Sequence, residues 1–372
     1  MNSHLIKLKN FLKKETVLSI SFVLAVISSF FVLPDQKYIE YIDWHTLLLL
    51  FALMAVMSGF QALGVFKKIG NLLLSTIKNT RQMLLTLVFL PFVFSMIITN
   101  DVALITFVPF GIVVLRISKQ EKLLIPLVVL QTIAANLGSM LTPMGNPQNL
   151  YLYAKSGMSP IDFIMLMLPY TLIAAVCLIL SIIFIKNNKI EGLILDNAPL
   201  TNIPFIVCYL ICFILCLLCV AKKLSPIVAA LTCLIFLIIF DRKILKNIDY
   251  SLLGTFICFF VFIGNMGRID SFCSFLESIL SGNEKLVAIL SSQIISNVPA
   301  ALLLSGFSND WNSLIIGTNL GGLGTLIASM ASLISYKQVA SEYPDQKGKY
   351  LLVFTAGNIV MLAILLIFEI LI

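Results

Sequence analysis

The chain has 372 residues, 59% of them hydrophobic and 12% charged, with a mean hydropathy of +1.03. A soluble domain carries about 25% charged residues, so this composition excludes one and describes an all-α polytopic membrane protein in contact with the lipid bilayer. The formal charge of +7 therefore bears on orientation, which Lys and Arg positions set, and does not point to nucleic acid.

The basic stretch Met1–Lys14 runs into the apolar run Thr16–Leu33. That run is long for a signal-peptide core and has no Ala-x-Ala-like site before Pro34, which predicts an uncleaved first span. Trp44–Phe66 predicts a second span, followed by Lys67, Lys68, Lys78 and Arg81. From Gln82 to Leu115 the only formal charge is Asp101, within Thr99-Asn100-Asp101, flanked by Pro91 and Pro109. An ionisable residue so deep in apolar sequence is costly and is by default a functional hypothesis. The arm Val102–Leu115 is about 21 Å long as helix, against a hydrocarbon core about 30 Å thick. This predicts a re-entrant hairpin.

Leu123–Tyr153 is interrupted by Asn136-Leu137-Gly138 and by Thr142-Pro143-Met144-Gly145-Asn146-Pro147-Gln148-Asn149, which predict a broken helix. Irregular backbone survives at membrane depth only where it lines a cavity or is covered by protein. Ile161–Ile185 spans, and the polar stretch Lys186–Pro199 reads as a linker. Ile203–Val220, Leu224–Phe240 and Tyr250–Gly264 span, and a shorter mixed segment, Arg268–Leu280, follows. Leu286–Phe307 predicts a second hairpin, turning at Ser296-Asn297. Trp311–Tyr336, with Asn319-Leu320-Gly321-Gly322-Leu323-Gly324-Thr325, predicts a second broken helix, and the last span begins at Tyr350.

The halves resemble each other. Ile42-Asp43-Trp44 matches Ile248-Asp249-Tyr250, Thr99-Asn100 matches Ser296-Asn297, and Asn136-Leu137-Gly138 with Thr142 matches Asn319-Leu320-Gly321 with Thr325. Residues 1–185 form a first repeat, 186–220 a linker and connecting span, and 221–372 a second repeat. The connecting span makes the count odd and inverts the second copy, giving about nine full crossings. With a cytoplasmic N-terminus and an outside C-terminus, 19 of the 25 Lys and Arg lie inside. The six outside are Lys37, Lys155, Lys222, Lys223, Arg268 and Lys285, a balance that fits the positive-inside rule. Inverted repeats with broken helices mark secondary transporters.

At each tip the starting arm presents backbone N–H groups and a positive dipole end, near Asp101 and Pro299, suited to an anion. Oxygen atoms of Thr99, Asn100, Asp101, Ser296 and Asn297 suit sodium. Asn136, Gly138, Thr142, Asn146 and Asn149 face Asn319, Gly321, Gly324 and Thr325 as candidate substrate- and ion-binding residues. The blander readings are N-caps for Asn, Thr and Asp101, and close helix packing for Gly317–Gly324. Asp101 has no acidic counterpart, since Val298 stands at that place, and it is the candidate carrier of the coupling ion, Na+ or H+. No cofactor is expected. An enzyme is not expected either, for want of a histidine or a second buried carboxylate at depth. Cys208, Cys212, Cys216 and Cys219 share one helix face and read as small apolar packing residues.

Four motifs, TNDVALITFVPF (Thr99–Phe110), ANLGSMLTPMGNPQNLYLY (Ala135–Tyr153), SNVPAALLLSGF (Ser296–Phe307) and TNLGGLGTLIASMASLISYK (Thr318–Lys337), resemble the ion transporter superfamily. That group contains citrate transporter-like permeases, divalent anion–sodium symporters, arsenite permeases and some sodium/proton antiporters. The resemblance implies a homodimer in the inner (plasma) membrane and an elevator-like motion carrying a small anionic substrate, a carboxylate or oxyanion. The alternatives are a sodium/proton antiporter or an arsenite-type oxyacid exporter using Asp101. Neither tip is a full Ser-Asn-Thr, the carboxylate-binding motif of the symporter branch, and the Asn-Asp tip with the GNPQN loop is closer to the arsenite and general anion permeases.

Overall fold

A computed structural model describes residues 15–75, 77–190, 200 and 202–371. The basic N-terminal stretch lies outside them, as does most of the Lys186–Pro199 linker. Among the described residues the regular structure is helical, with one isolated antiparallel bridge, Asn79 to Lys189.

Helix α1, Thr16–Phe31, and helix α2, Trp44–Ala62, take the first two apolar runs. The second run was expected to continue to Phe66. It stops at Ala62 because Gly64, at φ 72°, turns the chain into a separate helix, α3, Val65–Leu74. The first hairpin is α4, Thr80–Phe94, and α5, Asn100–Ile117, packed against each other. The second arm was expected to be too short to span, yet it is 18 residues long and apolar enough to cross a membrane. Pro109 sits inside it without ending it. The hairpin therefore rests on the packing of its arms and not on their length.

Next come α6, Leu124–Ser139, α7, Pro147–Ser156, and α8, Pro160–Ile183. The predicted break occupies 140–146. Two further helices, α9 (Ile203–Val220) and α10 (Pro226–Phe240), lead to α11 (Tyr250–Met266) and α12 (Asp270–Leu280), which are bent by 104° at their junction. The second hairpin has shorter arms, α13 (Glu284–Ile295) and α14 (Asn297–Leu304). The second broken helix is α15 (Trp311–Leu320) and α16 (Met330–Glu342), and α17 (Lys347–Leu371) closes the described chain.

Six described helices are long and apolar enough to cross a membrane, or seven if the bent pair is one span. Several shorter apolar helices, α1, α4 and α10 among them, accompany these. Burial sorts the helices by role. Met83, Leu84, Leu87 and Val88 of α4, Leu104 and Phe107 of α5, and Leu127 and Val128 of α6 are fully buried. A helix apolar all round and enclosed this way belongs to the interior. Helices α1, α8, α9, α10 and α17 keep large apolar side chains exposed, such as Phe22, Leu172, Ile211, Ile235 and Ile367, the outer surface that hydrocarbon would cover. The cysteines Cys212, Cys216 and Cys219 of α9 are buried, and α9 packs on α2 and α10.

Candidate functional site

The two broken helices meet in one buried polar network. Asn146 caps α7 by accepting the Asn149 amide at 3.0 Å, with Pro147 at the first helical position. That pairing of an Asn cap with a following proline fixes a helix start. Ser329 stands in the equivalent place before α16.

The two cap residues bond across to the opposite broken helix. Asn146 Nδ2 donates to Asn319 Oδ1 at 3.3 Å, and Ser329 Oγ donates to Asn136 Oδ1 at 3.1 Å. The bonds are then returned three residues along. Asn319 Nδ2 donates to Asn149 Oδ1 at 2.6 Å, and Asn136 Nδ2 donates to Ser332 Oγ at 3.3 Å. The counterparts Asn136 and Asn319, Asn146 and Ser329, and Asn149 and Ser332 are each 183 positions apart. All six side chains are buried. Buried amides left without partners would each cost about 1–3 kcal/mol, which favours this mutual arrangement.

The hairpins dock on these breaks by repeated contacts. Asn100 N donates to Gly145 O and Asn297 N donates to Ala328 O, both at 3.0 Å. Thr142 donates its hydroxyl to Met96 O, and Thr325 donates to Gln293 O at 3.1 Å. Gly138 and Gly321 permit close approach. A methyl group on Gly138 would lie 2.0 Å from the Phe92 carbonyl oxygen, and one on Gly321 would lie 2.6 Å from Ser292 Oγ. Gly324, at φ 113°, places its loop against the Gln293 side chain.

The tip amides are less available than the sequence suggested. Asn100 N and Asn297 N hold loop carbonyls, and Asp101 N donates to Asn100 Oδ1 at 3.0 Å. The broken-helix loops, which reach over both tips, supply the carbonyls. Asn100 Nδ2 joins the network through Asn136 Oδ1 at 3.0 Å. Ser296 and Asn297 bond within their own tip and to Ala328. Thus the five candidate sodium ligands do not share one contact set among the described residues.

Thr99 and Asp101 instead line a cavity of about 110 Å³ together with Ser58, Gln61, Asn146 and Asp249. No hydrogen bond to the Asp101 carboxylate is made among the described residues. The sequence reading used Asp249, a helix cap that accepts the Leu252 amide at 3.0 Å, only as the repeat counterpart of Asp43. It also passed over Ser329, Ser332, Ser139 and Gln293. Shifting Asn146 and Asn149 by the 183-residue register would have reached both serines. Gln293, whose amide donates to Gly321 O and Leu323 O at 2.9 Å each, has only Met96 as its counterpart and no sequence signal.

Membrane-length apolar helices enclosing two interrupted ones, with buried polar side chains at the breaks, define a multi-pass membrane transporter. Comparison with known families narrows the class. The model of the citrate transporter family matches residues 10–307, and the chain belongs to that family within the ion transporter superfamily. It is 33% identical over 326 residues to the uncharacterized transporter MJ0456 of Methanocaldococcus jannaschii, covering 87% of this chain and 88% of that one. It is 28% identical over 320 residues to the inner membrane protein YbiR of Escherichia coli, covering 83% and 84%. A shorter match, 30% over 159 residues, links it to the silicon efflux transporter LSI3 of Oryza sativa, covering 42% of this chain and 32% of that one.

Proposed function

We propose that this protein is a secondary active transporter that moves a small carboxylate or oxyanion across the inner membrane, coupled to sodium or protons through Asp101. The observation that carries this reading is the cavity where the hairpin carboxylate of Asp101 faces the capping carboxylate of Asp249, beside Asn146 of the cross-half network. Two carboxylates around a space of about 110 Å³ repel each other, and a cation between them relieves that repulsion. The anion then meets the polar side chains of the broken helices with its charge partly offset by the co-bound cation.

The matched bonds at the two breaks support two inverted repeats of residues 1–185 and 221–372, joined by 186–220, with nine crossings in all. Alternating access by an elevator-like motion, a homodimer, a cytoplasmic N-terminus and an outside C-terminus complete the proposal. The second reading is a sodium/proton antiporter or an exporter of a weakly ionised oxyacid. The small size of the Asp101 cavity and the relative named for silicon efflux favour it.

Proteoliposomes under an imposed sodium or proton gradient separate the two. Accumulation of labelled citrate or arsenate in the wild type, abolished in Asp101→Asn while that variant reconstitutes with an unchanged melting temperature, is the expected result. Gradient-driven cation exchange without anion uptake would select the second reading. Full coupling in Asp101→Asn would remove Asp101 from the mechanism.

A further inference from the structure

A second cavity, of about 840 Å³, opens at the far end of α2 from the Ser58–Gln61 end that lines the Asp101 cavity. Lys155, Lys222 and Lys223 all line it. None of the three makes an ion pair among the described residues. Lys222 Nζ donates to Met158 O at 2.7 Å and lies 4.9 Å from the Tyr153 ring centroid. Lys155 Nζ lies 5.9 Å from the Tyr151 ring centroid. The acidic groups on the same wall are Glu40 and Asp43, and both Asp43 oxygens are engaged by Thr46, at 3.1 and 2.9 Å.

Elsewhere on the proposed outer side, Arg268 pairs with Asp35 and Lys285 pairs with Glu369. In the proposed orientation only six Lys or Arg lie outside, so half of the outer cations converge on one cavity, and these are left without a carboxylate partner. A cleft lined by one sign of charge concentrates its field and raises the local concentration of counter-ions. Helix α7 connects this cavity to the network. It runs about 15 Å from the Asn146 cap to Lys155, and Leu150 on it lines both cavities.

We infer that the lysine-lined cavity is an anion-binding vestibule, which takes multiply charged carboxylates or oxyanions on the outer face and passes them along α7 to the Asn136–Asn319 network. The inference rests on the anion-transport reading above and deepens it. The ammonium groups favour a di- or trianion over an uncharged oxyacid. The volume exceeds what one such ion needs, so it arrives with part of its hydration.

The test is equilibrium binding of labelled citrate to the full-length purified protein, with sulfate as competitor, across ionic strengths. Lys155→Gln/Lys222→Gln/Lys223→Gln is expected to weaken binding about tenfold at low salt and to flatten its salt dependence. Should the triple variant misfold, Lys223→Gln alone, at a side chain with no hydrogen bond among the described residues, is expected to weaken binding about threefold. Asn136→Ala is expected to lose uptake and keep the lysine-dependent binding. Unchanged affinity and salt dependence in the lysine variants overturns the vestibule, as does a wild type that binds neither citrate nor sulfate. Loss of binding in Asn136→Ala alone overturns the vestibule and leaves the central site standing.

Discussion

The two hairpin tips share a scaffold and differ in what they carry. In both, the tip Asn donates its backbone amide to a broken-helix carbonyl at 3.0 Å, and a Thr of that break bonds back to the preceding arm. At the next position Asp101 faces the cavity it shares with Asp249, whereas Val298 is buried in the apolar core. The supports differ as well. Pro91 has no N–H, so the Leu87 carbonyl lacks its helical donor, and Gln131 Nε2 supplies one at 3.0 Å while also holding Phe107 O at 3.0 Å. The corresponding positions in the other half are Ala288 and Leu314, where no carbonyl is released and no amide is needed. One fold thus holds a carboxylate-bearing tip, stapled at both arms, beside an apolar one.

Exchanging the tip residues is the harshest way to break this comparison. Asp101→Val with Val298→Asp should leave no gradient-driven uptake, because only the first tip opens onto the acidic cavity. Val298→Asp alone should lower stability by about 3 kcal/mol or more through an unpaired buried carboxylate. Coupled uptake by the exchanged protein would show the tips to be interchangeable. Next come the close-approach glycines. Gly138→Ala drives a methyl into backbone and should destabilise by about 2–3 kcal/mol. Gly321→Ala first meets the Ser292 hydroxyl, which can turn away, although Gly317 O lies 2.8 Å off, so its effect should be smaller. Equal shifts in melting temperature would count against the distinction.

Gln131 and Pro91 make a coupled pair. Gln131→Leu should destabilise by about 1–2 kcal/mol by leaving Leu87 O unsatisfied. In a Pro91→Ala background that loss should shrink, since residue 91 then donates its own amide. A double-mutant cycle with coupling below about 0.5 kcal/mol would mean the two act independently.

Much of this was legible in the sequence because polar residues in apolar runs have few roles. Asn100, Asn136, Asn146, Asn149 and Asn319 stood out by type and spacing, and all join the network. Ser329 and Ser332 did not, because a serine in a membrane helix commonly bonds to its own backbone and gives no signal by type. Asp249 stood out only as the repeat counterpart of Asp43, and spacing along the chain does not bring it to the Asp101 cavity that it lines. The length of α5 was misjudged by counting the arm only from Val102 to Leu115, whereas the helix starts at Asn100 and runs on to Ile117. Partners on neighbouring elements of one half, such as Gln131 with Leu87 O or Gln293 with the 321–325 loop, depend on side-chain reach that spacing does not encode.

The smallest effect concerns the backbone of the tips. Thr99 sits at φ −64° and ψ 151°, open to any residue, whereas Ser296 sits at φ 75° and ψ 154°, a region almost restricted to glycine. Ser296→Gly should therefore relieve strain of about 1 kcal/mol and raise the melting temperature, even though it removes a weak hydroxyl contact to Ala328 O at 3.4 Å. Thr99→Gly should do the reverse by about 0.5–1 kcal/mol, because it only adds freedom to the unfolded chain. Opposite signs would show that the second tip is held in its conformation by the loop bonded to it through Asn297 N and Ala328 O. Matching signs would mean the two tips are equally relaxed, and their difference would then reduce to the Asp101 carboxylate alone.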